Sequence, residues 1–192
     1  MTHAAAYGRP YALQPMLGKR NIYLIGPMGT GKTAVGKTLG RLTGAPFADS
    51  DAEIERHAGV DIPYIFEQEG ETGFRRRERE VLVELCQREP LVLATGGGAI
   101  LAPENRQLLK STGVVVFLNT SIAQQLLRVG SGRGRPMLQG ADMTRRLEEL
   151  NRVREPLYRE TADITLSTDG RRVPKVAEAI LRELGMGRDG RE

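Results

Sequence analysis

A glycine-rich segment that ends in lysine and threonine carries the clearest chemical signal in this chain. Residues 26–33 read Gly-Pro-Met-Gly-Thr-Gly-Lys-Thr and match the pattern G-x-x-x-x-G-K-[ST]. In that pattern, backbone N–H groups turn inward around a polyphosphate, Lys32 reaches its β- and γ-phosphates, and the Thr33 hydroxyl ligates Mg²⁺. We therefore expect nucleotide phosphates to contact six consecutive residues: Gly29, Thr30, Gly31, Lys32, Thr33 and Ala34.

The flanking elements favour a phosphate-binding loop over a glycine-rich turn that merely joins a strand to a helix. Residues 22–25 predict a buried strand before the loop, and 32–43 predict a helix after it. Further strands are predicted at 46–48, 91–94, 114–118 and 164–166, with helices near 52–58, 62–69, 72–88, 103–111, 121–129, 142–153 and 173–184. This alternation predicts an α/β fold, a parallel five-stranded sheet with helices on both faces.

Two carboxylates follow the second predicted strand. Asp49 and Asp51 stand two residues apart, a spacing that directs both side chains to one side of an extended segment. Beside a phosphate loop, one carboxylate could support Mg²⁺ while the other acts as base towards a hydroxyl that is phosphorylated. The structural alternative for Asp51 is the N-cap of a helix that begins at Ala52.

Arginine and glycine at two further places extend the candidate site. Residues 75–77 are three arginines near the start of a long predicted helix, where successive side chains point in different directions. One or two of them can face a cleft and clamp a carboxylate, while at least one lies on a solvated surface. Residues 96–98 are three glycines that follow the third strand and leave backbone N–H groups open to a ligand. Because no acidic residue ends that strand, Asp49 would have to support the metal.

A second glycine-rich stretch, residues 130–140, lies between two predicted helices and is typical of a mobile lid that closes over phosphates. Its segment 133–136 also resembles the core of a DNA minor-groove hook, but such hooks usually lie in disordered tails. The next helix is predicted to end at Pro156. Arg154 is then either a partner for the C-terminal helix dipole or a second carboxylate clamp.

Composition narrows the classes of function. Of the 28 basic residues, 5 are lysines, which leaves 23 arginines, and guanidinium groups suit small anions as well as nucleic acid. Tryptophan is absent and aromatic residues are 5% of the chain, which disfavours stacking platforms for single-stranded nucleic acid. Cys86 falls at helical spacing with core residues, so we interpret it as a buried thiol. We find no signal peptide or membrane-spanning run and expect a cytoplasmic protein.

Taken in order, these segments closely resemble the shikimate kinase family. The resemblance rests on residues 26–33, Asp49-Ser50-Asp51, Gly73-Phe74-Arg75-Arg76 with Glu78, Gly96-Gly97-Gly98-Ala99, Arg135-Pro136 and Pro156-Leu157-Tyr158. It runs from about Asn21 to Leu184 and implies a three-layer fold related to the nucleoside monophosphate kinases. It also implies ATP-dependent phosphorylation of the 3-hydroxyl of shikimate, which gives shikimate 3-phosphate and ADP in chorismate and aromatic amino acid biosynthesis.

The resemblance implies catalytic and metal-binding roles for individual residues. Asp51 would hold the substrate hydroxyl and act as base. Lys32, and Arg135 closing from the lid, would supply positive charge around the transferred phosphoryl group. Thr33 and Asp49 would support Mg²⁺.

The resemblance also implies which residues bind the two substrates. Shikimate would be held by Asp51, Arg75, Gly97 and Arg154, with both arginines on its carboxylate. The adenine of ATP would lie near Arg128 and Arg172, with Arg171 as the alternative to Arg172.

The predicted organisation is a flexible arm at 1–20, a kinase-like domain at 21–185 and a tail at 186–192. We expect a monomer or a weak homodimer with no nucleic-acid or membrane partner. Two alternatives remain open. Another small-molecule kinase, such as a gluconate kinase, would keep the loop and the lid but has less need for paired arginines. A kinase-like ligand sensor could lose Lys32 or Asp51 and would usually carry a DNA-binding domain, for which twenty arm residues are too few.

Overall fold

Five parallel strands form the centre of the structure. The computed structural model describes residues 21–129 and 143–186. Its strands are β1 (Asn21–Ile25), β2 (Phe47–Asp49), β3 (Val92–Ala94), β4 (Gly113–Asn119) and β5 (Ile164–Ser167). Their order is β2-β3-β1-β4-β5, and every neighbouring pair is parallel. The predicted sheet is confirmed, with strand bounds that differ from the prediction by about one residue, the usual uncertainty of element ends.

The described helices alternate with the strands. They are α1 (Lys32–Thr43), α2 (Ser50–Ala58), α3 (Ile62–Cys86), α4 (Pro103–Thr112), α5 (Ile122–Val129), α6 (Met143–Thr161) and α7 (Val173–Glu183), with a 3₁₀ turn at Ala99–Leu101. The helices predicted at 62–69 and 72–88 form the single element α3. The break between them is real, because the backbone leaves helical geometry at Gly70, with φ 66° and ψ −174°.

Helices cover both faces of the sheet, because strand side chains alternate between the faces. On one face, Tyr23 and Phe117 pack against α3, α4 and α6. On the other face, Leu24 and Val116 pack against α1 and α7. Cys86 is buried in the first of these cores, as expected. Burial on both faces explains why the strands appear in the sequence as continuous apolar runs.

Helix α6 differs from its prediction, because it continues through Pro156 to Thr161. Proline removes one backbone hydrogen bond and usually ends a helix. Here Pro156 and Arg152, whose carbonyl it frees, are both exposed, so water can satisfy that carbonyl, while Leu147 and Tyr158 are buried on either side of the proline. Arg154 therefore lies in the interior of a helix, and its interpretation as a C-terminal dipole partner is wrong. No described helix is both long and apolar enough to cross a membrane.

Candidate active site

The loop between β1 and α1 forms the phosphate end of the site. Gly31 is the N-cap residue of α1 and has a positive φ of 85°, so the free N–H groups of the first helical turn begin directly at the loop. Lys32 Nζ donates hydrogen bonds to the carbonyl oxygens of Gly26, at 2.7 Å, and Pro27, at 2.9 Å. These contacts keep the ammonium charge on the loop. N–H groups, a helix N-terminus and a lysine together suit a polyphosphate.

A hydroxyl and a carboxylate meet where the loop approaches the end of β2. Thr33 Oγ1 donates to Asp49 Oδ2 at 2.7 Å. The other carboxylate oxygen of Asp49 accepts the backbone N–H of Asp51 at 3.1 Å, which makes Asp49 the N-cap of α2. The structural alternative for Asp51, the N-cap of a helix that begins at Ala52, is therefore wrong, since α2 begins at Ser50. Asp49 and Asp51 also do not share one extended segment, because the helix starts between them.

Asp51 lies in the first turn of α2 and faces the glycine segment, residues 96–98. A side-chain carbon at Gly96 would stand 2.5 Å from Asp51 Oδ1 and 3.2 Å from Glu78 Oε1. Such a carbon does not fit, so glycine is what allows both carboxylates to approach the backbone. Ser50, which is fully buried, fixes this approach because its Oγ accepts the N–H of Gly96 at 2.9 Å.

Of the three arginines at 75–77, Arg75 faces this site. Its Nη1 donates to Glu78 Oε2 at 2.8 Å, and a side-chain carbon at Gly98 would stand only 2.5 Å from its Nη2. Arg76 and Arg77 instead form ion pairs with Glu69. This agrees with the prediction that at most one or two of the three arginines face one cleft.

Glu78 is a buried carboxyl group that lies beside both Arg75 and the glycine segment. Its side chain is 1% exposed, and within the described residues its Oε1 accepts no hydrogen bond. Burial raises the pKa of Glu78, the guanidinium of Arg75 opposes that rise, nearby Asp51 adds to it, and Arg154 lowers it. Glu78 therefore links Arg75, Asp51 and Arg154 electrostatically.

Arg154 is 7% exposed and reaches the glycine segment from α6. The position of a side-chain carbon at Gly97 lies 3.7 Å from Arg154 Nη1, 3.6 Å from the Tyr158 hydroxyl and 3.6 Å from the carbonyl oxygen of Gly26. Gly97 is thus the point where α6 and the phosphate loop come together. The structure brings Asp51, Arg75 and Arg154 to the same three glycines.

Of the arginines expected near adenine, Arg128 contacts the phosphate loop. Arg128 Nη1 donates to the carbonyl oxygen of Gly29 at 3.0 Å and to Thr168 Oγ1 at 3.0 Å. Arg172 is the exposed N-cap residue of α7 and makes no side-chain capping bond, and Arg171 is exposed beside it. Arg171 and Arg172 follow Thr168, the residue that Arg128 contacts, by three and four positions in the sequence.

Several predicted features lie outside the described residues: the arm at 1–20, the stretch 130–140 with Arg135, and residues 187–192. Within the described residues, the polar groups of the site that have no role in the sequence-based prediction include Ser50, Glu78 and Tyr158. For Glu78 and Tyr158, the sequence signal is helical spacing. Glu78 is three residues after Arg75, and Tyr158 is four residues after Arg154, which puts each pair on one helix face.

Few of the described residues could hold a metal ion. Residues 21–129 and 143–186 contain no group of three or more histidine, cysteine, aspartate or glutamate side chains that could hold a metal ion. Thr33 and Asp49 nevertheless offer a hydroxyl and a carboxylate side by side. This oxygen set fits Mg²⁺, which usually binds one or two protein ligands together with phosphate and water.

Comparisons of the sequence with known proteins all point to one family. The family model described as shikimate kinase matches residues 28–185. A shikimate kinase from Thioalkalivibrio sulfidiphilus is 54% identical over 84% of this chain and 85% of its own length. Another from Methylococcus capsulatus is 55% identical over 80% of this chain and 86% of its own length. The family model thus covers most of the domain.

Solved structures agree with the sequence comparison. Shikimate kinase from Acinetobacter baumannii in complex with shikimate is 50% identical, with a TM-score of 0.84, over 87% of this chain and 93% of its own. The enzyme from Aquifex aeolicus is 37% identical, with a TM-score of 0.74, over 86% and 96%. A sugar kinase from Janibacter, at 18% identity and a TM-score of 0.55, shares the fold alone. With its P-loop kinase fold, its loop lysine and these relatives, the chain belongs to the shikimate kinase family.

Proposed function

We propose that this chain carries out the reaction of its family, in which ATP phosphorylates the 3-hydroxyl of shikimate to give shikimate 3-phosphate and ADP. The observation that carries the proposal is the meeting of three elements at Gly97. The start of the phosphate loop, at Gly26, and the guanidinium of Arg154 both approach this glycine, and Asp51 lies against its neighbour Gly96. A phosphate donor site and an acid-binding acceptor site are therefore adjacent.

Asp51 orients the acceptor and takes its proton. The 3-hydroxyl oxygen bonds to the γ-phosphorus, the bond from that phosphorus to the β-phosphate oxygen breaks, and ADP leaves. The hydroxyl proton passes to the Asp51 carboxylate. Asp51 Oδ1 and Glu78 Oε1 approach the same side of Gly96, so the proposed base lies beside a second carboxyl group.

Positive charge is divided between the two ends of the site. Lys32 already lies on the phosphate loop, through its contacts with Gly26 and Pro27, and exchanges them for phosphate oxygens. Arg135, from the stretch 130–140, adds charge from the lid. Arg75 and Arg154 bind the acceptor carboxylate, a group that guanidinium forks match well.

Thr33 and Asp49 would hold Mg²⁺. The support is their contact at 2.7 Å, which places two oxygen ligands beside the lysine of the loop. When bound, the ion neutralises the charge that phosphate oxygens carry during transfer. Asp49 keeps its capping contact with Asp51 through its second oxygen, so the metal-supporting carboxylate stays fixed.

We also propose a cytoplasmic location and a monomer or weak homodimer, without nucleic-acid or membrane partners. ATP is the phosphoryl donor and is available inside the cell. Tryptophan is absent and aromatic residues are 5% of the chain, which disfavours a stacking platform for single-stranded nucleic acid.

A coupled ADP-release assay tests the proposal. The purified chain is given ATP and Mg²⁺ with shikimate, with gluconate and with no acceptor. We expect ADP release with shikimate and only background release in the other two reactions. Turnover with gluconate would favour the other small-molecule kinase, and binding of ATP without turnover of any acceptor would favour a ligand sensor.

A further inference from the structure

Tyr158 contacts the acceptor region, yet the reaction described above does not use it. Its side chain is 1% exposed, and its hydroxyl donates to the carbonyl oxygen of Gly97 at 2.6 Å. Its ring stacks on Phe117, with centroids 4.9 Å apart and an interplanar angle of 17°. Because the stacked ring cannot swing away, the hydroxyl stays at the glycine segment.

The same hydroxyl faces Arg154, one helical turn earlier on α6. The hydroxyl and Arg154 Nη1 lie 3.6 and 3.7 Å from one point beside Gly97. Burial raises the pKa of Tyr158, while the charge of Arg154 and its contact with the hydroxyl oppose the rise. The phenol thus stays protonated and donates to Gly97, with the Arg154 guanidinium beside it.

We propose that Tyr158 is a positioning residue for acceptor binding. Its hydroxyl holds the Gly97 backbone and the Arg154 guanidinium in one fixed arrangement. Three successive glycines have no side chains of their own to order them, so a hydrogen bond from a rigid ring supplies that order. Preorganisation of this kind lowers the cost of binding without changing the chemical step. The proposal rests on the proposed function, because it assigns Gly97 and Arg154 to the acceptor.

Tyr23 provides a matched control on the same face of the sheet. It is 0% exposed, its hydroxyl is within 2.9 Å of Thr112 Oγ1, and it accepts from Asn21 Nδ2 at 2.9 Å. These contacts lie at the amino ends of β1 and β4, whereas Gly97 follows the carboxyl end of β3. Loss of either hydroxyl removes a buried hydrogen bond, but only one of the two hydroxyls lies at the site.

The test compares Tyr158→Phe with Tyr23→Phe, because each change removes one oxygen and keeps the ring. KM for shikimate, KM for ATP, kcat and Tm are measured for both variants. We expect Tyr158→Phe to raise KM for shikimate about tenfold, with kcat within about twofold and KM for ATP unchanged. Tyr23→Phe should lower Tm by a comparable amount and leave both KM values unchanged. An unchanged KM for shikimate in Tyr158→Phe, or an equal change in both variants, would overturn the proposal.

A second pair of variants tests the link to Arg154 and separates this inference from the proposed function. The variants are Arg154→Lys and the double variant Tyr158→Phe/Arg154→Lys. If Tyr158 acts through Arg154, KM for shikimate rises in the double variant by less than the product of the fold-changes in the two single variants. A rise equal to the product contradicts the link. Wild type without shikimate turnover would remove the proposed function itself. Wild-type turnover, with a raised KM in Arg154→Lys but not in Tyr158→Phe, would remove only the role of Tyr158.

Discussion

The phosphate loop and the acceptor region of this kinase are built in opposite ways. The loop is one segment, residues 26–33, and offers backbone N–H groups, the ammonium group of Lys32 and the hydroxyl of Thr33. The acceptor region takes side chains from α2, α3 and α6 and sets them around three glycines. It also buries charge, since Glu78 and Arg154 are 1% and 7% exposed. A contiguous motif can form its site locally, whereas the acceptor site exists only once the whole sheet has formed.

The border between the two regions runs between two neighbouring carboxylates. Asp49 contacts Thr33 of the phosphate loop, while Asp51 faces Gly96 of the acceptor region. The first turn of α2 separates them and turns their side chains to different partners. The proposed function assigns the metal to one region and the base to the other, so variants on each side should have separable effects.

The largest expected effect comes from the phosphate side. Lys32→Ala removes the ammonium group that stabilises charge on the transferred phosphoryl group, so kcat should fall at least about a hundredfold. Shikimate binding, measured by calorimetry, should change little. Lys37→Ala is the control, because Lys37 is exposed on the same helix. Normal turnover in a folded Lys32→Ala variant would remove the loop from the mechanism.

The next effect comes from the acceptor side. Arg154→Ala or Arg75→Ala should weaken shikimate binding by about 2 kcal/mol, roughly thirtyfold, because each loses a charge-assisted contact. ATP binding should stay the same. The exposed neighbours serve as controls, in Arg152→Ala and Arg76→Ala. Weaker ATP binding with intact shikimate binding would show that the two regions are wrongly assigned.

The smallest expected effect is on stability, and it depends on the ionisation of the buried side chain of Glu78. Burial raises its pKa in the folded chain above the unfolded value. The stabilisation that Glu78 contributes to the folded state is therefore fully present below the ordinary pKa of glutamate. It is lost as the pH rises through the pKa that Glu78 has in the folded chain. Relative to Glu78→Gln, wild type should lose about 1.4 kcal/mol of unfolding free energy per pH unit in that window. Denaturant unfolding at several pH values measures this, and parallel curves would contradict a raised pKa.

The same contrast explains what could be predicted from the sequence. The strands were predictable because burial on both faces produces apolar runs, and the loop because its pattern is local. The interior position of Pro156 was not predictable, since the buried contacts of Leu147 and Tyr158 outweigh the usual helix-ending rule. The capping role of Asp49 was also missed, because both aspartates are good caps and only the start of α2 distinguishes them.

Glu78 and Tyr158 show most clearly what sequence patterns fail to predict about the site. Helical spacing placed them on the same faces as Arg75 and Arg154. Their functions depend on burial against the glycine segment, which local sequence does not encode. Residues that act through the tertiary structure are therefore the part of this site that sequence patterns miss.

Turnover of Asp51→Asn and Asp49→Asn across a magnesium titration tests the division of the site most directly. Asparagine caps helices as well as aspartate, so α2 should form in both variants. We expect Asp51→Asn to lose turnover at every Mg²⁺ concentration while it still binds ATP. Asp49→Asn should need more Mg²⁺ and recover in excess metal, because its partner is the ion. Rescue of Asp51→Asn by magnesium, with none for Asp49→Asn, would contradict the account.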